Sequence, residues 1–472
     1  MEQLGLLAAI GADSDFEASP VHGVYQSDSL LPELERTVDL STCALRLERA
    51  VPLDPHPGAH GQVMDVVHPS LFPLIAGVSP LRERPALTLK ASFANDLGDL
   101  GLAPICHLGA VREREAFCMS DHYQWLPTEF AVSAGGEVTI NSYVNNLHPL
   151  EHAEMYPALE AAFAAGLPLL EQVLSDTLVT DTRRQCWRLI RDASGQNMYE
   201  GGHDPPDDDD DDSAEAAQPL RLELPAHFPV AETERCYIPR SVNLRGQRLQ
   251  VIVKLARIEL TPAQPTYPGG VWHCEGMRNE HIVATLIHYY SCENVSESRL
   301  NFRQAICEPD YAQDDNNGVQ TRYGLGDQAP LNEELGYITA QGGRSVAFPN
   351  VFQHAVAPFQ LQDPSRQGHR KILVFFLVDP LHRVTSTADV PPQQRSWVAG
   401  REQLHELSAV HRLLYCRRVP RDVVNYILEF LSFPMSVQAA EEHRIALMNE
   451  RSRYTDEVTQ KVFEREFSLC EH

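Results

Sequence analysis

Residues 369–380, HRKILVFFLVDP, place seven apolar side chains in a row behind three polar ones and close on Asp-Pro. An unbroken run of that length, with β-branched and aromatic members and a turn signal behind it, reads as a strand buried on both faces. Working outward, 248–260 (RLQVIVKLARIEL), 281–290 (HIVATLIHYY) and 344–356 (RSVAFPNVFQHAV) alternate apolar and polar residues as half-buried strands do. Gly269-Gly270, Gly324, Gly326 and Gly342-Gly343 punctuate these runs as turns. Strands separated by Gly-rich turns, with few helices between them, predict an antiparallel barrel or sandwich.

The flanks differ. Residues 1–200 are mixed, and 157–179 (PALEAAFAAGLPLLEQVLSDTLV) reads as a helix with Pro157 in its first turn. Leu159, Ala162 and Phe163 are spaced on one face before Pro168 interrupts. Residues 201–219, GGHDPPDDDDDDSAEAAQP, carry repelling charge and nothing to bury, so they read as a disordered acidic loop. A core at 220–400 follows, then a helical region at 401–472. There Pro420 opens a helix whose stripe of Val423, Val424, Ile427, Leu428 and Leu431 ends at Pro434. The stripe faintly resembles the first helix of an F-box; packing on the barrel is its plainer role.

Among 472 residues, 39 Lys and Arg face 65 Asp and Glu, for a net charge of −26. That balance argues against a surface that tracks nucleic-acid phosphates. With 43% hydrophobic and 22% charged residues the chain can bury a core. Ten cysteines without a CxxC pair suit a reducing compartment. The absence of an apolar run of the ~18 residues a membrane span requires, and of a basic leader, sets the expectation of a cytoplasmic protein with no membrane partner, nuclear residence remaining open. Oligomeric state is not legible.

The chemistry concentrates at VWHCEG, where His273 and Glu275 stand two apart at the end of a strand-like segment. Positions i and i+2 of a strand share a face, so both reach one point and Cys274 faces away. An imidazole and a carboxylate supply two of the three ligands of the facial triad that leaves open positions on non-haem Fe(II). His354 is the leading third ligand, behind the turn residues Pro349 and Asn350. Taken alone, HxE occurs by chance in many barrels. Arg370 adds weight, because a guanidinium entering an otherwise apolar strand is costly unless an anion meets it. Its fork matches a carboxylate, whether a protein Asp or Glu or the far end of 2-oxoglutarate. His281 and His288 alternate, so at most one faces inward, and Lys371 should face away from Arg370. His148 and His152 have helical i, i+4 spacing but lack the Glu of HExxH, so a capping role is expected.

The stretch GGVWHCEGMRNEHIVATLIHYYSCENVSESRLNFRQA resembles the signature of the DUF4246 family, found mainly in fungi. QVMDVVHPSLFPLIAG, YQWLPTEFAV, INSYVNNLHP, FPNVFQHAVAPFQL, VPPQQRSW, FPMSVQAAEEHRIALMNERS and FSLCEH resemble it too, from about residue 60 to 472. The acidic run is an insertion relative to that family. The resemblance implies an α+β fold: a double-stranded β-helix of jelly-roll, cupin-like type with N-terminal and C-terminal helical regions. It also implies an Fe(II)- and 2-oxoglutarate-dependent dioxygenase. His273, Glu275 and His354 would then be the catalytic metal ligands and Arg370 the co-substrate anchor, with a small-molecule substrate and dioxygen as partners. Glu275 stands where Asp is usual in the wider superfamily, and Ile372 where a hydroxyl often completes the carboxylate site. Tyr289, Tyr290 and Thr285 are the open choices for the partner of Arg370.

Hydroxylation or desaturation of a small polar or amino-acid-like substrate is the expected outcome, with Arg278, Asn279, Arg299, Arg303 and Tyr311 near the motif as substrate contacts or, more plainly, surface residues. The alternative is a non-catalytic β-barrel binding or interaction module with a structural or vestigial metal site. A zinc hydrolase is disfavoured because no general base is spaced beside the ligands.

Overall fold

The structure is a computed structural model that describes residues 17–30, 40–93, 100–101, 118–177, 241–308, 319–320, 324–399 and 433–468. The acidic run at 201–219, the stripe from Val423 to Leu431, Pro420 and Tyr311 lie outside them. The chain divides into two compact units. The first is Met1–Thr177, Ser241–Ala305 and Asn332–Arg465; the second is Leu178–Arg240, Ile306–Leu331 and Glu466–His472. In the second, Ile306, Val319, Leu325, Leu331 and Phe467 form a small apolar cluster of their own.

The first unit is built on a large antiparallel sheet. Seven of its ten strands, in chain order, are β1 (Tyr25–Ser27), β2 (Val63–Val67), β3 (Thr128–Val132), β4 (Arg248–Leu260), β5 (Ile282–Glu293), β8 (Ser345–Pro349) and β10 (Gly368–Val378). They lie side by side as β1-β8-β5-β10-β4-β2, with β3 also pairing β4. A second sheet has β6 (Arg299–Ala305) between β7 (Asn332–Thr339) and β9 (Gln353–Val356). Connections pass repeatedly from one sheet to the other, since β5 leads into β6 and β9 leads into β10.

Side-chain alternation explains why the large sheet is buried on both sides. On β4, Leu249, Val251, Val253 and Leu255 join a cluster with Leu373, Phe375 and Leu377 of β10. On the other face Ile252 joins Val374, Phe376 and Val378 with Phe302 and Phe348. The unbroken apolar run at 372–378 therefore serves both faces, as its composition predicts. The outer face is covered by α1 (Leu40–Ala50) and α2 (Met155–Thr177), which contribute Leu47, Leu159, Phe163 and Leu170.

Here the structure corrects one reading. Helix α2 does not stop at Pro168 but runs through it to Thr177. Proline removes one hydrogen-bond donor, yet Leu167, Leu169, Leu170 and Val173 around it are fully buried, and that packing outweighs the loss. Gly166 permits the close approach, because a Cβ there would collide with Leu286 of β5. By length and composition α2 is apolar enough to cross a membrane, but half of it is buried as a core helix. Helix α3 (Val437–Val458), capped by the Ser436 side chain accepting from the Ala439 N–H, places Leu447 in the inner cluster.

Candidate metal centre

His273 and His354 face each other across a single antiparallel bridge, with N···O distances of 3.2 and 3.0 Å in the two directions. Directly opposed residues put their side chains on the same side, and the two rings lie 4.4 Å apart. The segment is not the strand that i, i+2 alternation implies. After the one bridge the chain bends at Glu275 and Gly276. Gly276 has φ +69°, and a Cβ there would press to 2.7 Å from both Glu280 Oε2 and Ile282 Cδ1, so glycine is required at this turn. Asn350 holds the bend. Its Oδ1 accepts from the Glu275 N–H at 2.8 Å, and its Nδ2 donates to the Glu275 and Ile282 carbonyls at 2.9 and 3.0 Å.

The bend delivers the carboxylate between the imidazoles. Glu275 Oε1 is 3.4 Å from His354 Nε2 and 3.8 Å from His273 Nε2, and the three ligand atoms lie within 4.8 Å of one another. Such distances are long for N–H···O bonds but suit three lone pairs aimed at one point. The donor set fits a divalent metal. His273 Nδ1 is 2.8 Å from the Val271 carbonyl, to which it donates, leaving Nε2 as the free lone pair. Burial opposes charge on Glu275, yet the two imidazoles outweigh it and hold its carboxyl well below the ordinary range. Burial also holds His354 below the usual imidazole value. An anionic carboxylate and a neutral imidazole are the forms that bind metal. Phe348 and Phe302 line the inner side, with ring centroids 4.8 and 6.4 Å from His354.

Arg370 is buried on the same inner face of β10, 3% exposed. Its Nη1 donates to Ser298 Oγ at 3.1 Å and its Nη2 to Tyr289 Oη at 3.0 Å. Its Nε finds no partner, and among the described residues no carboxylate forms an ion pair with it. Of the three open choices, Tyr289 meets Arg370. Tyr290 turns to the other face and donates to Glu48, and Thr285 Oγ1 has no partner. Ser298 was overlooked; it shares the parity of Leu300 and Phe302 just ahead of β6, and that alternation was the available signal.

The remaining candidates fall away from the centre. His288 is buried on the outer face against Ser345 Oγ at 3.0 Å. His281 is not on the strand but at the preceding turn, stacked on His382. Lys371 faces outward to Glu48. His148 caps a turn rather than a helix start, its Nδ1 accepting from the Leu150 and Glu151 N–H groups. Asn279 is tied to Tyr123 O and the Ser120 N–H, Arg299 pairs with exposed Glu297, and Arg278 is exposed. Arg303, buried, binds Gln353 and Glu464 and stacks 4.7 Å from Trp272, steadying the approach to His273.

Sequence reading missed a second cluster, His56, Asp65 and His68. One Asp65 oxygen accepts from His56 at 2.8 Å and from Arg444 of α3. A cation already bound to the carboxylate makes this an ion-pair network rather than a metal site.

The model for a family described as protein of unknown function (DUF4246) matches residues 9–401. The chain belongs to this family. No curated protein matches it. Among solved structures, similarity extends to selenomethionine-labelled Fe(II)/(alpha)ketoglutarate-dependent dioxygenase TqaL, 12% identical over 55% of this chain and 70% of that one, with a TM-score of 0.26. It extends also to IDO from Bacillus thuringiensis, 13% identical over 31% and 53%, with a TM-score of 0.19. Hydroquinone 1,2-dioxygenase PnpCD is 12% identical over 27% and 58%, with a TM-score of 0.14. At scores this low neither fold nor chemistry carries across to this DUF4246 member.

Proposed function

We propose that this DUF4246 protein is an Fe(II)- and 2-oxoglutarate-dependent dioxygenase that hydroxylates or desaturates a small polar or amino-acid-like substrate in the cytoplasm. The fold reading that goes with it is a double-stranded β-helix, with β8-β5-β10-β4 as one wall and β7-β6-β9 plus the His273 bridge as the other. The N-terminal region at 1–200, the acidic insertion at 201–219 and the C-terminal helical region at 401–472 would dress a core at 220–400. One observation carries the reading: a buried guanidinium whose hydrogen bonds among the described residues go to hydroxyls and whose Nε is orphaned, on the inner face of the wall opposite the one that carries two imidazoles and a glutamate. An unpaired buried charge is costly to keep, and a diacid with one end at the metal and the other on Arg370 would neutralise it.

The iron, when bound with 2-oxoglutarate, supplies the activation of dioxygen that oxidises a C–H bond. The chain's own part is ligation and placement. His273, Glu275 and His354 would hold the ion. Asn350 keeps Glu275 in position by its backbone, Arg370 orients the distal carboxylate, and Phe302 and Phe348 exclude water.

Anaerobic titration tests the ligand set. The wild-type chain should bind Fe(II) and then 2-oxoglutarate, and should release succinate slowly in air. His354→Ala and Glu275→Ala should lose measurable metal binding while remaining folded by circular dichroism. Metal bound equally well by the variants would leave the binding-module reading in its place.

A further inference from the structure

Lys254 stands at the middle of β4, directly opposite Val374 of β10. It shares a face with Ile252 and Ala256, and across the pair with Arg370, Ile372, Val374 and Phe376. That is the inner face, lined by Phe302 and Phe348 beside His354. Between Ile252 and Ile258 of β4 it is the charged position on this face, and it is only half-buried. Arg370 is opposite Ile258, so the two cations are set four residues apart along the paired strands, about 13 Å between backbones.

Lys254 differs from the other interior cations in having nothing to hold. Arg303 has Gln353 and Glu464, Arg444 has Asp54 and Asp65, and Arg451 has Glu280. Among the described residues, Lys254 makes no hydrogen bond and no ion pair, though its charge reaches both His273 and His354 and also Asp65 and His68. Asp65, opposite Ala256, shares this face; His56 and Arg444 engage its Oδ2, its buried Oδ1 makes no hydrogen bond, and no ion pair joins it to Lys254. In a chain with 65 acidic residues against 39 basic ones, an ammonium without an ion-pair partner among the described residues, on the inner face that packs beside His354, is placed to meet an anion.

We propose that Lys254 anchors a carboxylate on the substrate itself, so that the substrate class is a small organic acid held between this ammonium and the metal. This rests on the reading of the centre given above. Two cations about 13 Å apart divide the labour: Arg370, with its fork and two hydroxyls, suits the fixed co-substrate, and Lys254, a flexible point charge, suits a second acid. A single positive charge matches a carboxylate. A phosphate carries roughly −1.5 to −2 at neutral pH and would leave surplus negative charge near Glu275.

The test uses the full chain loaded with Mn(II) and 2-oxoglutarate. Water-proton relaxation first establishes that both are bound; failure there overturns the centre itself and this proposal with it. Butyrate, butyramide and ethyl phosphate are then added separately, and the paramagnetic relaxation of their protons is measured. Butyrate should relax at least about tenfold more efficiently than butyramide and more than ethyl phosphate. Lys254→Met should remove that preference and Lys254→Arg should keep most of it, with thermal unfolding checking that both variants are folded. Equal relaxation by acid and amide, a preference for ethyl phosphate, or a butyrate effect untouched in Lys254→Met would overturn the proposal. So would a tenfold loss of 2-oxoglutarate affinity in Lys254→Met, which would assign the ammonium to the co-substrate.

Discussion

Arg370 and Lys371 are neighbours on β10, yet they live in opposite worlds. Lys371 points to the helix-covered face, where Glu48 of α1 takes its ammonium at 2.7 Å, the Arg257 guanidinium at 2.7 Å and the Tyr290 hydroxyl at 2.7 Å. Charge is balanced by charge, and each buried group is matched. Arg370 points inward, equally buried, and donates to two hydroxyls and, among the described residues, to no carboxylate. The outer cation is neutralised within the architecture, whereas the inner one meets no carboxylate among the described residues. Where a fold has neutralised one buried charge and not its neighbour, the second is where a bound anion is worth testing for.

The sharpest way to break this contrast is to remove Glu48. Burial opposes its charge, but Lys371, Tyr290 and Arg257 together lower its proton affinity below that of a free glutamate, so it is the anion that holds the group. Glu48→Ala would leave Lys371 buried without its anion beside Arg257, which keeps only Glu259, a loss of about 3–5 kcal/mol in urea-monitored unfolding. Adding Lys371→Met should recover part of it. A loss below about 1 kcal/mol would mean that solvent reaches the cluster and that the outer face is no better balanced than the inner.

What could be read in advance follows the same division. The inner and outer faces of β4 and β10 were legible because side-chain parity is a local property, and an apolar run with no polar interruption leaves one interpretation. The convergence of His273, Glu275 and His354 was legible as residue types in order, although the route was not: strand alternation was expected, and the chain instead makes one bridge and bends. That bend depends on Gly276 at positive φ and on Asn350 reaching back across a long loop, a tertiary contact no local pattern announces. Glu48 was invisible for the same reason, since its partners Arg257 and Lys371 lie on distant strands. At Pro168 a local rule was overridden by the packing of α2 on β5.

His288 sharpens the outer half of the comparison. It is on β5 opposite Leu373, facing the helices, and burial alone brings its proton affinity down to about 4 from an ordinary 6.5. Between those values the unfolded chain takes up a proton that the native imidazole refuses. Stability is therefore full above pH 6.5 and falls as pH drops toward 4, by up to about 3 kcal/mol from this one residue. His288→Gln should flatten the difference between unfolding free energies measured at pH 7.5 and pH 4.5, relative to wild type. An unchanged pH slope would remove His288 as its source.

The inner half makes the opposite prediction, smaller in stability and specific in binding. Arg370→Met deletes a charge that has no counter-charge among the described residues and replaces it with an apolar side chain of similar length. Buried ionic groups exchanged for hydrophobic ones of like volume are often neutral or stabilising, so unfolding should change by no more than about 1 kcal/mol or shift upward. The cost should fall on 2-oxoglutarate. Two charge-assisted hydrogen bonds to its distal carboxylate, at roughly 1.5–3 kcal/mol each, correspond to an affinity loss on the order of a hundred- to ten-thousand-fold, read by calorimetric titration of the Mn(II)-loaded protein. Arg370→Lys should fall between, keeping the charge but losing the fork that engages Ser298 and Tyr289 together. If instead Arg370→Met unfolds the protein by several kcal/mol and leaves 2-oxoglutarate binding as it was, the guanidinium is a structural cation after all. The asymmetry between the two faces of β10 would then say nothing about ligands.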